Sequence, residues 1–226
     1  MTSPQIDLRS RWRRFAAKVG GDVETSHSGR LVVETTFDLL EGFYKESGRH
    51  YHTLAHISWC LDLLDEFFPY GNMVPAFVDR VELALFFHDV IYDPKRKDNE
   101  KRSADMLIGC AAMLGLDPKW VREVAFDVEC TTHTIVWTRP PCPEPTRWVL
   151  DLDLASLGFA PEKFDENSAQ IREEYSFVPE DAFMAGRKTV LQGFLGRPRL
   201  YLTPECHDRF EGQARDNLKR AIAALG

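Results

Sequence analysis

The 226-residue chain contains no apolar run near the ~20 residues needed to cross a bilayer, so no membrane span is expected. Its opening residues, Met1-Thr2-Ser3-Pro4, carry no hydrophobic secretory core. There are five cysteines (Cys60, Cys110, Cys130, Cys142, Cys206), scattered, odd in number and never spaced C-x-x-C. That excludes a disulfide framework and a thiolate zinc site, and suits a reducing, cytoplasmic setting. A net charge of −7 disfavours binding to nucleic acid or to an anionic membrane. Neither G-x-x-x-x-G-K-S/T nor G-x-G-x-x-G occurs, which removes the usual mononucleotide and dinucleotide phosphate loops.

Strand signals are equally scarce. Leu31-Val32-Val33 and Thr134-Ile135-Val136-Trp137 are the only short β-branched runs, and neither has a hairpin partner. Helical periodicity dominates instead. It predicts helices near 7–19, 29–46, 53–68, 75–91, 99–114, 117–131, 149–157, 161–173, 179–195 and 204–225, with glycines and prolines at the junctions. The proline density of Arg139-Pro140-Pro141-Cys142-Pro143-Glu144-Pro145 predicts a loop over 139–145. The expectation is one all-α domain over 1–226, with a core at about 29–160 and packing helices over 161–226.

Chemistry concentrates around His88-Asp89, at the end of the apolar stretch Val81-Glu82-Leu83-Ala84-Leu85-Phe86-Phe87. An imidazole and a carboxylate in such surroundings are costly to bury unless something binds them, and a divalent metal is the usual partner. Projected at 100° per residue, the helix after Tyr51 turns both His52 and His56 inward. Asp151 and Asp153 follow downstream, and being two residues apart they cannot both face one way on a helix. His…His-Asp…Asp from separate helices is a donor set suited to a mononuclear hydrolytic site. Taken singly, His56 and His133 read as ordinary core histidines donating to backbone carbonyls. Arg9, Arg11, Arg13 and Arg14 read as a solvated helix face, and Lys95-Arg96-Lys97 with Lys101-Arg102 as a basic knot.

These residues resemble the HD-domain superfamily of metal-dependent phosphohydrolases, in particular its branch of undefined substrate. The matching stretches are Arg49-His50-Tyr51-His52-Thr53-Leu54-Ala55-His56-Ile57, Ala84-Leu85-Phe86-Phe87-His88-Asp89-Val90-Ile91-Tyr92-Asp93-Pro94, Asp98-Asn99-Glu100-Lys101-Arg102-Ser103-Ala104 and Leu150-Asp151-Leu152-Asp153-Leu154-Ala155-Ser156-Leu157-Gly158. Weaker matches continue through Ile171-Arg172-Glu173-Glu174-Tyr175, Gly186-Arg187 and Ala214-Arg215-Asp216-Asn217-Leu218. The resemblance spans most of the chain.

It implies a helical HD bundle holding one divalent ion (Mn, Fe, Ni, Co, Zn or Mg) on His52, His88, Asp89 and a downstream aspartate. Asp153 is preferred for the last place and Asp151 is the alternative. His52 is taken over His50 and His56 because its His-Thr-Leu context resembles the first-ligand motif. The implied activity is hydrolysis of a small phosphorylated molecule, a nucleotide among the candidates, by a metal-activated water. Asp89, Glu100 and His133 are the candidates for proton transfer, and Lys95, Arg96, Arg187 and Arg215 for the substrate phosphate. Only His133 lies between His88-Asp89 and the last aspartate, where dinuclear members of the superfamily have two histidines, so one metal is expected. The alternative is a non-catalytic metal-containing sensor that binds a phosphorylated ligand. Oligomeric state stays open.

Overall fold

The computed structural model describes residues 7–20, 26–69, 77–133 and 142–226. Among them every regular element is helical, as expected: α1 (Leu8–Val19), α2 (His27–Tyr44), α3 (Leu54–Phe67), α4 (Val78–Phe87), α5 (Asn99–Met113), α6 (Pro118–Cys130), α7 (Glu144–Leu154), a 3-10 turn (Ala155–Gly158), α8 (Pro161–Glu174), α9 (Glu180–Leu195) and α10 (Pro204–Ala224). No helix among the described residues is long and apolar enough to cross a membrane.

Side chains start several of these helices by accepting from an otherwise unbonded first-turn N–H. Asp7 takes Ser10 N, Ser26 takes Gly29 N, Asp117 takes Trp120 N and Thr203 takes Cys206 N. Gly115 sits at φ +68° just beyond α5, a left-handed conformation that glycine adopts without a Cβ penalty.

Leu31-Val32-Val33 lies inside α2, within the helix expected over 29–46, and Val33 joins the buried face. Inward packing of that face outweighs the small helix penalty of β-branching. The helix expected over 75–91 ends at Phe87, because Val90 N turns back to the Phe87 carbonyl and tightens the chain. Finally, α7 starts at Glu144, inside the stretch expected to be loop. Pro145 falls in its first turn, where a missing N–H forfeits no helical bond. The candidate strand at 134–137 and most of the proline-rich segment lie outside the described residues.

Packing divides the chain into two units, Met1–Ser47 with His52–Ile135 and Gly48–Tyr51 with Val136–Gly226.

In the first unit α4 is the central element, with every residue buried except Asp79. A helix buried on all sides must satisfy its charged residues internally. Arg80 does so through Asp127, at 2.5 and 2.8 Å, and through Glu123 at 2.6 Å, both on α6. Glu82 does so through Arg11 of α1, whose Nε lies 2.7 Å away and whose guanidinium also forks onto Asp65 of α3 at 2.6 and 2.8 Å. Arg11 is only 2% exposed, so the N-terminal arginines are not simply a solvated face. Arg9 and Arg13 keep the expected exterior role, bridging to Glu34, Glu41 and Asp38 of α2. Around α4 sit Trp12, edge-on to Phe86 at 5.3 Å, and Tyr44, whose hydroxyl donates to the Phe86 carbonyl.

The second unit is organised by the 3-10 turn against α10. Gly158 presses on Phe210, and Asn217 donates to the carbonyls of Leu157 and Phe159. Glu174 at the end of α8 accepts the backbone N–H groups of His50 and Tyr51, while the Tyr51 and Ser156 hydroxyls pair at 2.7 Å. These bonds tie the short 48–51 segment to this unit.

Candidate metal centre

His88 and Asp89 stand on the turn leaving α4, so the buried helix fixes their backbone. The imidazole of His88 is 1% exposed, and its Nδ1 lies 3.0 Å from the Leu85 carbonyl. A carbonyl can only accept, so Nδ1 carries the proton. In the neutral ring Nε2 is then a bare lone pair. That Nε2 lies 3.1 Å from Asp89 Oδ2 and 3.2 Å from His56 Nε2, while His56 Nε2 and Asp89 Oδ2 are 3.7 Å apart. Three potential ligand atoms thus converge, an arrangement that either a proton on His56 Nε2 or a cation among them would satisfy. The group could hold a metal ion.

The spacing supports that fit. Ligand bonds of about 2.1 Å give neighbouring ligand atoms about 3.0 Å apart in octahedral and about 3.4 Å apart in tetrahedral geometry. The observed separations of 3.1, 3.2 and 3.7 Å lie close to these values. The carbonyl end of α4 adds favourable potential for a positive ion, and an imidazole oriented by a backbone carbonyl is the usual support for a metal-binding histidine.

His56, on the buried face of α3, occupies the place expected of His52 in this group. His52 lies just before α3. Its half-buried ring stacks on Tyr92 with centroids 3.9 Å apart and planes at 23°, and its centroid is 6.4 Å from that of His56. The signal was present in the sequence. Thr53 is a good N-cap, and it is the N-cap of α3, which puts His52 outside the helix and His56 within its first turn.

The two downstream aspartates belong to the second unit, both on α7, and they separate cleanly. Asp151 is buried and committed. It accepts from Leu202 N at 2.8 Å, from Thr203 N at 2.7 Å and from Thr203 Oγ1 at 2.6 Å. Burial pushes its carboxyl up to about 6, against the opposing effect of these donors. It therefore ties α7 to the start of α10. Asp153 is half-buried in the last turn of α7.

The remaining candidates lie as follows. Glu100 is in the first turn of α5. His133 follows α6 with φ +52°, a conformation uncommon for a residue with a side chain. Lys95 is exposed, and Arg96 is paired with Asp98 at 2.6 and 2.7 Å. Arg187 is half-buried on α9. Arg215, expected at the substrate phosphate, is instead bound to Glu211 and to the carbonyls of Leu195, Arg197 and Pro198. Those acceptors close the end of α9, so the residue has a structural task.

No protein-family model matches the chain, nor does any curated protein or solved structure.

Proposed function

We propose that the protein is a metal-dependent phosphohydrolase of the HD type, acting on a small phosphorylated molecule with His56, His88 and Asp89 as ligands to one divalent ion. Of the two downstream aspartates that the resemblance offers as a fourth ligand, Asp151 is committed to the start of α10. The observation that carries the reading is the meeting of three donor atoms within 3.7 Å, with the His88 tautomer set by the Leu85 carbonyl. When bound, the ion supplies a Lewis acid for a phosphoryl oxygen and lowers the pKa of a bound water.

The chain's own groups divide the other tasks. His88 and His56 turn their Nε2 atoms toward each other and toward Asp89. Asp89 offers its second oxygen to take the proton of the attacking water. His52, four residues before His56 and with its ring centroid 6.4 Å from that of His56, donates a proton to the departing oxygen. Lys95, exposed in the basic knot, attracts the phosphate.

The test is elemental analysis and calorimetric titration with Mn²⁺, Zn²⁺ and Ni²⁺, followed by assay on p-nitrophenyl phosphate mono- and diesters. Wild type should bind one ion per chain and turn over an ester. His56→Ala and His88→Ala should lose both the ion and turnover. If both variants retain the stoichiometry of wild type, the metal site is refuted. Bound ion without turnover of any ester refutes the hydrolase and leaves the sensor.

A further inference from the structure

The pairing of Tyr92 with His52 is the feature of the first unit that the metal ligands do not explain. His52 precedes the N-cap of α3, so helical hydrogen bonds do not fix its backbone. A half-buried imidazole at such a place is held by its side-chain contacts, and one of these is Tyr92. Tyr92 lies three residues beyond Asp89, and its ring covers the imidazole at 3.9 Å with planes only 23° apart. Flat stacking at this distance restricts both rings about their own axes. At 6.4 Å between centroids, His52 lies beside His56 and outside the group of donor atoms.

We propose that Tyr92 is a positioning residue that holds His52 for proton transfer to the leaving oxygen, an inference that rests on the hydrolase reading above. The attacking water forms a new P–O bond as the ester P–O bond breaks. The departing oxygen takes the His52 proton, and the imidazole is recharged by the proton that the water releases. One water is consumed and no other reactant is required.

The experiment compares phenyl with p-nitrophenyl esters of phosphate, as mono- and diesters, on the metal-loaded full chain. Phenol needs a proton as it departs and p-nitrophenol needs it much less. General acids contribute about 10²–10⁴-fold, so Tyr92→Ala should lower kcat on phenyl esters at least about tenfold more than on p-nitrophenyl esters. KM and bound metal should stay near wild type. Tyr92→Phe, which keeps the ring, should restore the wild-type ratio. His52→Ala should show the same leaving-group signature, and adding Tyr92→Ala to it should cost little more. Equal slowing on both leaving groups, or additive losses in the double variant, overturns the positioning role while leaving the hydrolase intact. A metal-loaded wild type that turns over none of these esters takes down the hydrolase reading and this inference with it.

Discussion

Arg11→Met tests how the central helix is held, and its cost can be worked from the structure. The change removes the 2.7 Å partner of Glu82, a carboxylate 5% exposed on a helix that has no route to water. Burial already raises the pKa of Glu82, with Arg11 opposing that rise. Without Arg11 the side chain escapes its unpaired charge by protonating. Holding a carboxyl of ordinary pKa about 4.3 neutral at pH 7 costs about 3.7 kcal/mol, at about 1.36 kcal/mol per pH unit. That sets a ceiling on the charge contribution, and it agrees with the roughly 3–5 kcal/mol seen when one member of a buried pair is removed. The sign follows from linkage. A carboxyl whose folded pKa is raised keeps its proton in the folded state while the unfolded chain loses it, so stability falls as pH rises above the unfolded pKa. The loss in Arg11→Met should therefore shrink by up to about 2.7 kcal/mol between pH 7 and pH 5. Urea unfolding followed by circular dichroism at the two pH values reads both numbers. Arg11→Met/Glu82→Leu should recover most of the loss, since well-packed apolar side chains replace buried ion pairs at little cost. A loss below about 1 kcal/mol at pH 7, or an equal loss at both pH values, would refute the account.

Two other outcomes follow from packing. Gly158→Ala should destabilise by about 1–3 kcal/mol, because the added Cβ would meet the Phe210 Cβ at 2.7 Å and the Phe210 carbonyl oxygen at 2.8 Å. Thermal unfolding at wild-type midpoint would show that the α10 contact is loose. Iodoacetamide at pH 8 should label half-exposed Cys142 well before Cys110 and Cys206 in the native protein. Burial pushes those two thiols up to about 11 and about 12, and the thiolate is the nucleophile. Peptide mapping that finds all three labelled at similar rates would contradict their enclosure.

The fold is legible in the sequence where one strong period or one strong punctuation mark governs the outcome. The all-helical architecture follows from periodicity, and the starts of α6, α8, α9 and α10 from Pro118, Pro161, Pro179 and Pro204. It is not legible where a choice depends on one turn of chain. His52 and His56 both project inward from an idealised helix, but α3 begins at Leu54 after the Thr53 N-cap, so His52 precedes the helix and stacks on Tyr92. Long-range partners were not legible at all. Nothing local distinguishes Arg11 from Arg9 and Arg13, yet Arg11 meets Asp65 and Glu82, 54 and 71 residues away. The same holds for Asp151 and Asp153, which separate only once the start of α10 is seen to occupy Asp151.

These particulars bear on why the candidate centre sits where it does. A metal group must hold its donor atoms within a fraction of an ångström, and sites on rigid elements do this better than sites on loops. His88 and Asp89 are on a turn, which by itself is a poor platform. What compensates is α4, locked at Arg80 to α6 and at Glu82 to α1 and α3, so that the turn leaves a helix unable to shift. On this argument the buried ion pairs serve register as much as stability. Arg11→Met should therefore weaken metal binding even under conditions where the protein remains folded. Calorimetric titration of Mn²⁺ at pH 7, on samples whose circular dichroism matches wild type, reads that effect. An affinity unchanged from wild type would separate the anchor of α4 from the geometry of the centre.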